Sequence, residues 1–167
     1  MNDKVNFDPK SALGHTLSRW WEGLESDRGA RAELRRAHDL TAVTLTAAYQ
    51  RFYRQMLVAG WSEEATPWRN DRLAVIAGVL AHVKVLDGRK LAEILSDGER
   101  PPFSELRFRR LLEASTLDDV YLGLRRALPI ISYQANIHQL ANDLLFWGDK
   151  VKKEWAYAYR WPKKATN

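Results

Sequence analysis

Apolar residues recur three and four positions apart along almost the whole chain, and no stretch keeps the alternation of a half-buried strand. That spacing gives each segment one apolar stripe, so the sequence predicts an all-α fold, a compact bundle of about eight or nine short helices. A length of 167 residues suffices for one hydrophobic core and is too short to imply several, so a single domain over 1–167 is expected. Hydrophobic residues at 46% against charged residues at 28% exclude a natively disordered chain. Only the ends, Met1–Phe7 and Pro162–Asn167, read as loosely ordered.

A first amphipathic helix is predicted over Ser11–Leu24, with Leu13, Leu17, Trp20, Trp21 and Leu24 as its stripe. A short basic helix follows over Gly29–His38, and Thr41 caps a longer one through Leu57 that Gly60 stops. Pro67 marks a loop. Asp71 opens a largely apolar helix to Leu86, and Gly88 separates it from a shorter one over Arg89–Leu95. Ser104 caps a helix reaching Ala114, Leu117–Leu128 defines another that Pro129 ends or kinks, and Asn136 begins one ending near Gly148. The last spans Asp149–Arg160.

Several classes of function find no support. Met1–Lys10 lacks the apolar core of a secretory signal, and Leu73–Leu86 is too short for a bilayer span and carries His82 and Lys84, so a cytoplasmic protein with no membrane partner is expected. There is no cysteine, and His15, His38, His82 and His138 do not form a metal-ligating pair, so neither metal nor cofactor is expected. His82 lies in an apolar helix and reads as a hydrogen-bonded structural histidine. Glu63-Glu64 and Asp118-Asp119 sit at helix starts, where negative charge complements the helix dipole. With no nucleophile elbow and no glycine-rich phosphate loop, the chain reads as a non-enzyme.

What does recur is basic residues in clusters on helices: Arg31, Arg35 and Arg36; Arg107, Arg109 and Arg110; Arg125 and Arg126; Lys150, Lys152 and Lys153. The formal net charge is +5. After Ser104, Phe108, Leu111 and Leu112 point one way, while Arg109 and Arg110 fall on the opposite arc with Arg107 at its edge. Val151, Trp155, Ala158 and Tyr159 likewise leave the three lysines outside the stripe of the last helix. Guanidinium groups suit phosphate because they donate along two parallel bonds, and each neutralised phosphate releases counterions. The competing reading pairs these cations with Glu33, Glu105, Glu113 and Asp118 on ordinary solvated faces. Of the seven tryptophans, Trp20, Trp21, Trp147 and Trp155 lie on core stripes, leaving Trp61 and Trp68 as the open candidates for base stacking.

The order of the segments RAELRRA, GRKLAEIL, SELRFRRLLEA, LGLRRALPII and DLLFWGDKVKKEWAYAYR resembles one protein family, the small subunit of the type I-E CRISPR Cascade complex. The resemblance runs from Arg31 to Tyr159. It implies an all-α, non-catalytic subunit present as two copies beside large-subunit and backbone-subunit proteins. It also implies contacts that stabilise guide RNA, target strand and displaced DNA strand during R-loop formation, carried onto the eleven basic residues named above. A helical protein–protein scaffold whose basic faces bind acidic partners is the alternative; an operator-binding repressor and a hydrolase have less behind them.

Overall fold

The computed structural model describes residues 5–164. The fold is all-α, with ten helices among the described residues, eight of them seven residues or longer. In chain order these are α1 (Ala12–Gly23), α2 (Arg28–Arg36), α3 (Leu40–Thr44), α4 (Ala47–Val58) and α5 (Pro67–Leu80). They continue with α6 (Leu91–Leu95), α7 (Glu105–Leu112), α8 (Leu117–Ile130), α9 (Ile137–Leu145) and α10 (Asp149–Ala158). Polar side chains punctuate them: Ser11, Asp27, Asp39, Thr46, Thr66, Ser104, Thr116 and Asn136 each accept from the backbone N–H three residues on. Each such cap is worth about 1 kcal/mol. No helix among the described residues is long and apolar enough to cross a membrane.

The core is organised around α5, which is buried on every side from Arg72 to Leu80 and is packed by α3, α8 and α9. A helix apolar all round belongs at the centre of a bundle. Gly78 makes that packing possible, because a Cβ there would lie 2.6 Å from Tyr121 Cε2 and 3.0 Å from Val43 Cγ2. At the far side Phe108 stacks on Tyr159 at 4.0 Å between ring centres, and Trp161 meets both rings edge-on, which fastens the end of α10 to α7.

Several boundaries differ from the sequence reading, each for a local reason. The helix expected over Thr41–Leu57 is two, because the Thr46 hydroxyl accepts from Tyr49 N and starts a new one. Asp71 is not the start of α5: Thr66 caps it with Pro67 in the first turn, where a missing N–H costs nothing, so Trp68 is helical rather than in a loop. Pro129 does not break α8, which runs one residue further. Past its end Ser132 and Tyr133 take left-handed φ values of 58° and 60°, turning the chain into a two-residue strand, β2 (Gln134–Ala135). It pairs in parallel with β1 (Val85–Leu86), Val85 opposite Gln134 and Leu86 opposite Ala135. Two residues are too few for alternation to reveal them.

Of the stretches read as loose, residues 1–4 and 165–167 lie outside the described residues. Phe7, however, is fully buried, its ring stacked on the buried Trp61. Its N–H donates to Asn142 Oδ1 at 2.6 Å, its carbonyl bonds His138 Nδ1 at 2.9 Å, and Asn142 Nδ2 donates to Asp8 Oδ1. The N-terminal segment is thus clamped to α9. Trp61 also donates to Asn70 Oδ1, so it is a core residue rather than a stacking platform.

Candidate nucleic-acid interface

The α7 and α8 helices pack side by side through Leu111 and Gly123, where a Cβ would meet Leu111 Cδ1 at 2.7 Å. That close approach leaves an open groove of about 700 Å³ between their outer faces. Arg107 and Arg110, three residues apart on α7, and Arg126 on α8 line it, with partly exposed Leu122 and Ile130. Residues from two of the sequence clusters therefore converge on one face. Among the described residues none of these three side chains forms an ion pair or a hydrogen bond, although Glu113 and Asp119 stand at the rim.

Two of the acids that could have neutralised the arginines are engaged elsewhere. Glu33 Oε1 accepts from Ala47 N at the start of α4, and Asp118 Oδ1 accepts from Leu40 N at the start of α3. Both carboxylates sit where helix dipoles favour them. The ion pairs among the described residues are Arg89 with Asp87 and Asp97, and His38 with Asp39.

Arg31, Arg35 and Arg125 are placed differently. Arg35 Nε donates to Ala81 O at 2.9 Å and Arg31 Nη2 to Val83 O at 3.0 Å, both at the C-terminal end of α5. Arg125 in turn donates to Arg35 O and Ala37 O, the end of α2. One more arginine repeats the device: Arg72 Nη1 reaches Leu144 O, Leu145 O and Trp147 O at the end of α9. The C-termini of α2, α5 and α9 are therefore each closed by guanidinium groups from a neighbouring helix, where unpaired carbonyls and the negative dipole end welcome positive charge. These three expected site residues hold the bundle together. Arg72 went unnoticed in the sequence, although an arginine opening the apolar run Leu73–Leu80, one turn after Trp68, was its signal; its guanidinium lies 3.8 Å over the Trp68 ring.

The remaining expected residues are solvent-facing. Arg36 and Arg109 are exposed, as are Lys150 and Lys153, with Lys152 half-buried on α10, which packs on α6. Among the described residues none of these side chains is ion-paired. The structure assembles Arg107, Arg110 and Arg126, and leaves the α10 lysines on another helix.

His82 sits beside the inward-facing arginines, its Nε2 buried with no protein partner among the described residues, so the expected hydrogen bond at that nitrogen is absent. Burial, reinforced by Arg125, Arg35 and Arg31, pushes its imidazole down to about 4 from the ordinary 6.5. The unfolded chain therefore takes up a proton that the folded chain refuses, and this contribution to stability falls as pH drops from 6.5 through 4. Asp143 opposes it: burial pushes its carboxyl up to about 6 from 3.8, so folding gains as pH drops through that range. Stability is expected to vary little across this window in the native sequence. In Asp143→Asn it should fall by about 2 kcal/mol between pH 7 and pH 4, allowing for solvent screening. Urea unfolding at both pH values checks this, and a flat profile in the variant removes the role given to His82.

The described residues thus form an all-helical fold that carries a groove lined by arginines without ion pairs. A family model, CRISPR-associated protein Cse2, matches residues 30–159, and the chain belongs to that family. This is the small-subunit family named from the sequence segments. Among solved structures, the fold is similar to a chain in the crystal structure of E. coli Cascade bound to a PAM-containing dsDNA target. The two are 24% identical with a TM-score of 0.62, over 86% of this chain and 91% of that one. No curated protein matches the sequence.

Proposed function

We propose that the chain is a non-catalytic subunit of a CRISPR RNA-guided DNA surveillance complex in the cytoplasm, and that its α7–α8 face holds nucleic-acid backbone without sequence preference. Family membership supports the first part, as does the DNA-bound assembly in which the similar chain was crystallised. The observation that carries the second is the convergence of Arg107, Arg110 and Arg126 without a carboxylate partner. Forming an R-loop exchanges base pairs at nearly balanced cost, so a few backbone contacts to guide RNA, target strand or displaced strand tip the equilibrium. The proposed partners are therefore these strands, the large and backbone subunits, and a second copy of the chain.

Reversing all three arginines to Glu in the reconstituted complex is expected to lower target-DNA affinity on the order of 100-fold at about 100 mM salt. The log affinity against log salt slope should become shallower by two to three, about one for each phosphate that is no longer neutralised. All three side chains are exposed, so the helical content should stay unchanged. Gel-shift titrations over a salt series test this; an unchanged slope sinks it, and normal DNA binding with loss of the subunit from the complex favours the scaffold reading.

A further inference from the structure

A second groove lies on another part of the molecule, where α1 and α4 run beside each other with the start of α2 closing one end. It holds about 520 Å³. Its floor is apolar: the Trp20 ring rests on Phe52 at 4.4 Å between centres, flanked by Leu24 and Ala48. At the α2 end the walls are low, since a Cβ on Gly23 would meet nothing within 4 Å. Val58, 92% exposed, forms the lip at the other end. The lining runs from Thr16 to Gly23 on α1 and from Ala48 to Val58 on α4, two to three turns of helix or roughly 10 to 15 Å of wall.

The rim is positive. Arg19 on α1 and Arg51 on α4 face the groove, and neither side chain has an ion pair or hydrogen bond among the described residues. The single carboxylate on the lining, Asp27, is committed to Ala30 N as the cap of α2. An apolar floor of helical length between unpaired cations matches an amphipathic helix whose apolar side chains fill the floor and whose carboxylates meet the two arginines. Nucleic acid suits it less. Trp20 and Phe52 pack on each other instead of presenting free faces for bases, and phosphates gain nothing from an apolar floor.

We propose that the α1–α4 groove seats an acidic amphipathic helix of a different protein subunit. This rests on the reading of the chain as a member of a larger assembly. The lining of this groove shares no residue with that of the α7–α8 groove, and its α1 wall lies before residue 30, outside the stretch matched by the family model.

The test places the photocrosslinker p-benzoylphenylalanine at position 58 in the full chain, with and without Arg19→Glu and Arg51→Glu, in the reconstituted complex. Val58 is so exposed that its replacement leaves the fold intact. Irradiation is expected to join the chain to another protein through a peptide bearing Asp or Glu beside apolar residues at helical spacing. The paired charge reversals should cut that yield about tenfold while target-DNA affinity responds only to the α7–α8 substitutions. The proposal is overturned by a crosslink to nucleic acid, to a second copy of this chain, or to nothing when the chain is present in the complex. It is equally overturned by a yield that the reversals do not change. A chain that never enters the complex instead removes the surveillance reading, and this inference with it.

Discussion

Arg72→Ala is expected to lower the free energy of unfolding by about 3 kcal/mol, the cost of stripping a charged donor from a buried helix end. The side chain is 7% exposed, and a single nitrogen, Nη1, serves Trp147 O at 2.8 Å and Leu144 O and Leu145 O at 3.3 Å. Alanine takes the guanidinium donor from those carbonyls, of which Leu144 O keeps the N–H of Trp147, opens a cavity and removes the cation stacked on the Trp68 ring. Arg72→Lys should recover only part of the loss, since an ammonium cannot keep the planar stack on Trp68 while serving the same carbonyls. Urea unfolding of the isolated chain measures both; a midpoint shift equivalent to less than about 0.5 kcal/mol for the alanine variant would show that the interaction is incidental.

Gly14→Ala should also be destabilising, by about 2 kcal/mol, although alanine normally stabilises a helix by up to about 1 kcal/mol over glycine. The added methyl would lie 2.6 Å from the carbonyl oxygen of Phe7 and closer still to that of Asp8. Backbone cannot yield as a flexible side chain does, so relief comes by releasing the segment that carries Phe7. Limited proteolysis should then cut before Ser11, and the emission of Trp61, which Phe7 covers, should shift toward that of a solvated indole. A more stable variant would show that this close approach is soft.

The helix faces were legible because burial and period follow from the same residues: Phe108 and Leu111 turn inward on α7 while Arg107, Arg109 and Arg110 stay exposed. The break at Thr46 was hidden because the apolar stripe continues through it from Val43 to Tyr49, whereas capping is decided by one hydroxyl. Pro67 can stop a helix or open one, and only the Thr66 cap tells which. The basic clusters were visible as charge, yet charge does not record what lies opposite. Arg31, Arg35 and Arg125 meet carbonyls contributed from far along the chain, so sequence placed them with Arg107 and tertiary packing separated them. The pairing of Arg126 with Arg107 and Arg110 depends likewise on how α8 lies against α7.

The bond from Phe7 N to Asn142 joins residues 135 apart. A chain emerging from the ribosome presents Phe7, α1 and Trp61 long before α9 exists to receive them. Until α9 is made these aromatic surfaces lack their final cover, and the segment that carries Phe7 cannot dock before then. The fold is closed by a latch whose two halves are made 135 residues apart, so a truncated product that ends before α9 carries its own exposed apolar mark.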